Sequence, residues 1–192
     1  LQEVLDRMRA LIERVHKAVS DIARSDSKLA GMGTTFSLAR IAGASLIIGH
    51  VGDSRIYLLR RGVLRQLTKD QTTAQLLADL GEIRPEEVAR HSASHILTQA
   101  IGSGKPISAE VRHVWLLEGD TLLLATDGLT GVVGEDEIAA AMALDEPPRS
   151  VVDRLIERAL EGGAPDNVTA VLARVLRLPP RPNAADTTAT TT

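Results

Sequence analysis

The sequence has 192 residues, 44% of them hydrophobic and 24% charged, with a formal net charge of −3. That is enough apolar content for one domain with a full core, and the negative balance argues against a general binder of nucleic acid or of an anionic membrane. With one Phe, one Tyr and one Trp (Phe36, Tyr57 and Trp115), it has too few rings for the stacking platforms of single-stranded nucleic-acid binders, and with no cysteine it has neither disulfides nor thiolate metal sites.

No apolar run has the length of a membrane span, and nothing at the start reads as a signal peptide. A cytoplasmic protein is expected, with neither nucleic acid nor membrane among its partners. Leu1, Leu5, Met8, Ile12, Val15, Val19 and Ile22, with Val4 and Leu11, recur at helical spacing. They predict an amphipathic helix of about six turns. Strands follow at once, so the helix is expected to pack on a sheet rather than form a coiled coil. Because the sequence opens at Leu1, inside this pattern, its start is read as a cut.

Residues 25–33 form a polar link. Strands are then expected over 34–41, 45–51 and 54–60, and a shorter one over 63–67. The turns between them, at 42–44, Gly52-Asp53 and Arg61-Gly62, are short enough to permit only antiparallel neighbours, so a β-meander is predicted. Residues 72–80 read as a helix closed by Gly81. A second short helix starts at Arg84-Pro85, and a third covers 94–101. Strands over 110–116 and 121–126, helices over 135–144 and 149–160, and a last strand over 168–175 complete an α+β domain. The domain is assigned to residues 1–178. Residues 179–192, rich in Pro, Ala and Thr, read as a disordered tail.

Three aspartates stand beside apolar strands: Asp53 in Val51-Gly52-Asp53-Ser54-Arg55, Asp127 in Ala125-Thr126-Asp127-Gly128, and Asp166 in Pro165-Asp166-Asn167. Strand ends are rigid platforms for short carboxylates, and a neighbouring glycine lets an ion approach the backbone. Carboxylate oxygens are the ligands that Mg²⁺ and Mn²⁺ prefer. Taken singly, each sequence is also an ordinary turn.

The surrounding motifs go further. Gly33-Thr34-Thr35, His50-Val51-Gly52-Asp53-Ser54-Arg55-Ile56-Tyr57 and Leu67-Thr68-Lys69-Asp70-Gln71 resemble the middle motifs of the protein phosphatase 2C family. Ile96-Leu97-Thr98-Gln99-Ala100-Ile101-Gly102, Gly119-Asp120-Thr121-Leu122-Leu123-Leu124-Ala125-Thr126-Asp127-Gly128-Leu129 and Gly163-Ala164-Pro165-Asp166-Asn167-Val168-Thr169 continue the series in the family's order. The wording is similar to the bacterial branch, whose members counteract serine/threonine kinases.

The resemblance implies a sandwich of two antiparallel β-sheets flanked by helices. It implies metal-dependent dephosphorylation of phosphoserine and phosphothreonine in proteins, through a water activated by a dinuclear Mn²⁺ or Mg²⁺ centre. Asp127 and Asp166 match two aspartates of that centre, and Asp53 matches a residue of a third, weaker metal near Asp127. Gly52, Gly128 and Asn167 would shape the turns. Residues 71–102 match a flap beside the active site. The implied partners are phosphoprotein substrates, with a serine/threonine kinase and its targets.

Family members also open with a strand pair and an Asp-Gly motif whose aspartate bridges both metals, and no such segment precedes Leu1. The sandwich is therefore expected to miss its first strands, and this chain alone to be inactive. The alternative is a non-catalytic pseudophosphatase, a binding module for a kinase or phosphoprotein.

Other signals fail on inspection. Gly102-Ser103-Gly104-Lys105 lacks the first glycine of a P-loop, and His91 and His95 lack the glutamate of a zinc-protease helix; both histidines read as solvated flap residues. Ser54 and Arg55 have no His-Asp partners for nucleophilic catalysis and read as turn residues.

Overall fold

The computed structural model describes residues 1–179. Helix α1, Gln2–Ser25, has no Pro or Gly to interrupt it, buries Met8 and Ile12, and ends at Asp26 in an extended conformation. Its exposed side carries the Glu3–Arg7 and Lys17–Asp21 ion pairs at i,i+4 spacing. Strands β1 (Phe36–Ala42), β2 (Ser45–Val51), β3 (Arg55–Arg60) and β4 (Val63–Gln66) follow. Then come α2 (Thr73–Asp79), a 3₁₀ segment (Pro85–Arg90), β5 (Glu110–Trp115) and β6 (Thr121–Ala125). Helices α3 (Asp127–Thr130), α4 (Glu135–Met142) and α5 (Pro148–Glu161) lead to β7 (Ala170–Arg174).

All strand pairs are antiparallel, in two sheets ordered β1-β2-β5 and β4-β3-β6-β7. The period of two along the strands divides the core into layers. Leu46 and Ile48 of β2 meet Ile56 and Leu58 of β3 and Leu122 of β6 between the sheets. Ile47 and Val51, on the other face of β2, pack on Met8 and Ile12 of α1. Tyr57, Leu59, Leu123 and Ala125 face Ile138 of α4 and Val151 and Leu155 of α5. A sandwich of two antiparallel sheets flanked by helices is therefore what the chain forms. Gly49 lets α1 lie close: a Cβ there would stand 2.8 Å from Ile12 Cδ1.

The expected meander does not form. Strand β2 has β1 on one side and β5 on the other, so no hydrogen-bonding edge remains for β3. Gly52, at φ +111, turns the chain out of the first sheet, and β3 joins the second. The turn at Arg61-Gly62 does make a hairpin: both residues have positive φ, 51 and 78, as a type I′ turn requires.

Residues 94–101 are not helical, because their backbone bonds go elsewhere. Thr98 N–H donates to Gln71 O, Ile96 O accepts from Thr73 N, and Ile101 exchanges both its bonds with Thr34. The segment after Arg84 is 3₁₀ rather than α. The expected tail lies outside the described residues, apart from Pro179. Among the described residues no helix is long and apolar enough to cross a membrane.

Candidate metal centre

Register brings the three aspartates together. In the β3–β6 pair Arg55 faces Ala125, so Asp53, two positions before Arg55, and Asp127, two positions after Ala125, leave the sheet at the same end. In the β6–β7 pair Ala125 faces Ala170, which brings the turn carrying Asp166 to that end as well. All three line one cavity of about 610 Å³.

Two glycines make the approach possible. A Cβ on Gly128 would stand 2.3 Å from the Asn167 carbonyl oxygen, so only glycine lets the Asp127 turn lie against the Asp166 turn. Thr126 fixes the contact: its hydroxyl donates to Asn167 O at 3.2 Å and accepts from Thr169 N at 3.0 Å. Asn167 N–H donates to Asp166 Oδ1 at 2.6 Å, which orients that carboxylate. On the other side, a Cβ on Gly52 would meet Thr35 Cγ2 at 2.5 Å, so the turn before Asp53 is wedged against the start of β1.

The cavity has an excess of negative charge. Arg55 also lines it, but its guanidinium is engaged with Asp70 in a forked pair: Nη2 donates to Oδ2 at 2.8 Å and Nε to Oδ1 at 3.0 Å. Its Nη1 donates to the Tyr57 hydroxyl at 3.0 Å. None of Asp53, Asp127 and Asp166 forms an ion pair with a lysine or arginine among the described residues, and the charge of Arg55 offsets only part of the upward shift at Asp53. Asp53 is 8% exposed. Burial, and then the negative charge of Asp127 and Asp70, push its carboxyl up to about 6, against an ordinary 3.8.

Every donor that these aspartates offer is a carboxylate oxygen. Among the described residues no three His, Cys, Asp or Glu side chains converge tightly enough to cage an ion by themselves. An open set of carboxylates around a cavity of this size fits a hard dication that keeps much of its water, as Mg²⁺ does.

Three residues line the site that the sequence does not place there: Asp70, His95 and Arg55, the last a residue of β3 rather than of a turn. Asp70 carries no local signal for its role, because its partner Arg55 is 15 residues away in sequence. His95, read as a solvated flap residue, lines the cavity with Ser94. His91 does not: its Nδ1 accepts from Ala93 N at 3.1 Å. Ser54 is hydrogen-bonded to Thr35, Oγ to Oγ, at 2.8 Å, which fits a turn role.

The family model for protein phosphatase 2C matches residues 2–177. The serine/threonine protein phosphatase PstP of Mycobacterium tuberculosis is 38% identical over 174 residues, 91% of this chain and 34% of the relative. The chain thus spans about a third of the length of that relative. The structure of the S. agalactiae serine/threonine phosphatase superposes with a TM-score of 0.84 at 34% identity, covering 91% of this chain and 72% of that one. The catalytic domain of PstP, solved with two manganese ions, gives a TM-score of 0.75 at 40% identity, covering 84% and 67%. The converging aspartate turns, the helix-flanked double sheet and these matches agree: the chain belongs to the protein phosphatase 2C family.

Proposed function

We propose that the protein removes phosphate from phosphoserine and phosphothreonine in other proteins, with Mn²⁺ or Mg²⁺ in the Asp53–Asp127–Asp166 cavity. The observation that carries this is that three aspartates from separate turns line one cavity whose guanidinium is already paired with Asp70. Asp127 and Asp166 would hold the ion, and Asp53 would add charge beside Asp127. When bound, dications lower the pKa of water towards neutrality and offset charge on phosphoryl oxygens.

The chain's own residues set the geometry. Gly128 and Asn167 bring the Asp127 and Asp166 turns into contact, Gly52 fixes the Asp53 turn, and the Arg55–Asp70 pair anchors the cavity wall. Val88, Ala89, Ser94 and His95, from the segment between α2 and β5, form the facing wall, where a phosphorylated segment would enter. The manganese-bound PstP domain supports the choice of metal. Phosphoproteins as substrates, an opposing serine/threonine kinase and a cytoplasmic setting belong to the same proposal.

The test is phosphate release from a phosphothreonine peptide by the full-length protein with Mn²⁺. Asp127→Ala and Asp166→Ala should each lower kcat/KM at least 100-fold, about 2.7 kcal/mol of lost transition-state stabilisation. Turnover unaffected by both changes would refute the proposal.

A further inference from the structure

Gln71 joins the Asp53 turn to the segment that forms the facing wall of the cavity. Its main-chain N–H donates to Gly52 O at 2.8 Å, and its side-chain Oε1 accepts from Gly52 N at 2.9 Å. One residue thus satisfies both backbone groups of the glycine before Asp53, as a neighbouring strand would. Gly52 cannot retreat on its other side, where Thr35 is packed against it.

The carbonyl of Gln71 has a second role. It accepts from Thr98 twice, from N at 2.8 Å and from Oγ1 at 2.9 Å. Next to it, Thr72 bridges to Leu97. These bonds close the neck of the 72–98 segment, which carries Val88, Ala89, Ser94 and His95 to the cavity. Both ends of the segment therefore hang on the residue that holds the Asp53 turn. Gly52 is thus held from two sides, by Gln71 and by Thr35.

We infer that Gln71 is a positioning residue that couples the placement of the 72–98 segment to ion binding at Asp53. The inference rests on the metal-centre reading above. Coupling of this kind is reciprocal: whatever the segment does for the ion, the ion does for the segment.

Amide hydrogen exchange of the full-length protein, with and without saturating Mn²⁺, tests it, with Mn²⁺ binding followed by calorimetry on the same samples. In the parent, peptides covering 85–98 should exchange at least fivefold more slowly with Mn²⁺. Gln71→Leu, which removes the acceptor for Gly52 N, should still bind Mn²⁺ but show less than twofold slowing. Gln71→Glu, which keeps an acceptor oxygen there, should restore the effect; a residue of general structural importance would not be rescued in this way. Thr98→Val cuts the side-chain bond from the other end and leaves Gln71 intact, so it provides the test even where Gln71→Leu does not fold. It should reduce the Mn²⁺ effect at least twofold.

Unchanged Mn²⁺-dependent slowing in a folded Gln71→Leu or Thr98→Val protein would overturn the coupling. So would Mn²⁺ binding by the parent with no slowing, which leaves the metal centre standing. A parent that binds no Mn²⁺ overturns both readings, and calorimetry identifies that case.

Discussion

Asp53→Asn should stabilise the metal-free protein at neutral pH, although it removes a carboxylate from the site. Asp53 is 8% exposed and its carboxyl is pushed up to about 6 by burial and by Asp127. In the unfolded chain it returns to an ordinary value of 3.8. A folded-state pKa raised in an acid means that the folded protein holds its proton longer than the unfolded chain does. The penalty is absent below about pH 4, grows as pH rises towards 6, and is constant above that. At about 1.36 kcal/mol per pKa unit, this gap amounts to about 3 kcal/mol at pH 7. The amide keeps the shape and carries no charge, so the metal-free variant should gain up to that amount. At the full amount, a domain of this size would melt on the order of 6 to 12 °C higher. With saturating Mn²⁺ the advantage should shrink or reverse, because ion binding stabilises the folded protein by an amount that grows with the logarithm of [Mn²⁺]/Kd, and the parent carboxylate should bind the ion more tightly than the amide. Thermal melts of parent and variant at pH 4 and pH 7, with chelator and with Mn²⁺, give the four comparisons. A variant no more stable than the parent at pH 7 in chelator, or equally stabilised at pH 4, would refute the reasoning.

Gly128→Ala places a Cβ 2.3 Å from the Asn167 carbonyl oxygen. It should force the two aspartate turns apart, weaken Mn²⁺ binding at least tenfold by calorimetry, and destabilise by about 1–3 kcal/mol in denaturant titrations. Asp70→Ala leaves the Arg55 guanidinium, 22% exposed, without its forked partner. That change should destabilise by about 3 kcal/mol, read as a lower urea midpoint at unchanged slope.

The elements of the fold were legible wherever local pattern decides them. The apolar repeat from Leu1 to Ile22 predicts α1, and the short apolar runs within 45–51 and 121–126 predict β2 and β6. What failed depends on long-range partners. Short links between strands predicted one meander, but β5 occupies the edge of β2 and sends β3 to the other sheet. Residues 94–101 carry a helical pattern, yet Gln71, Thr73 and Thr34 take their backbone bonds.

The site divides in the same way. Asp53, Asp127 and Asp166 stand out as candidates in the sequence because each sits beside a glycine or asparagine turn at a strand end. Their convergence is a matter of register between β3, β6 and β7, which no local signal encodes. Asp70 and His95 reach the cavity only through tertiary structure. The close contact at Gly128 explains its place next to Asp127 in a way that the turn sequence alone did not.

Calorimetric titration of Mn²⁺ into the metal-free full-length protein tests the dication centre most directly, with the Asp127→Ala, Asp166→Ala double variant as control. The parent should bind Mn²⁺, and the double variant, shown to be folded by circular dichroism, should bind none in this site. Unchanged Mn²⁺ binding by the folded double variant would contradict the placement of the metal centre in this cavity.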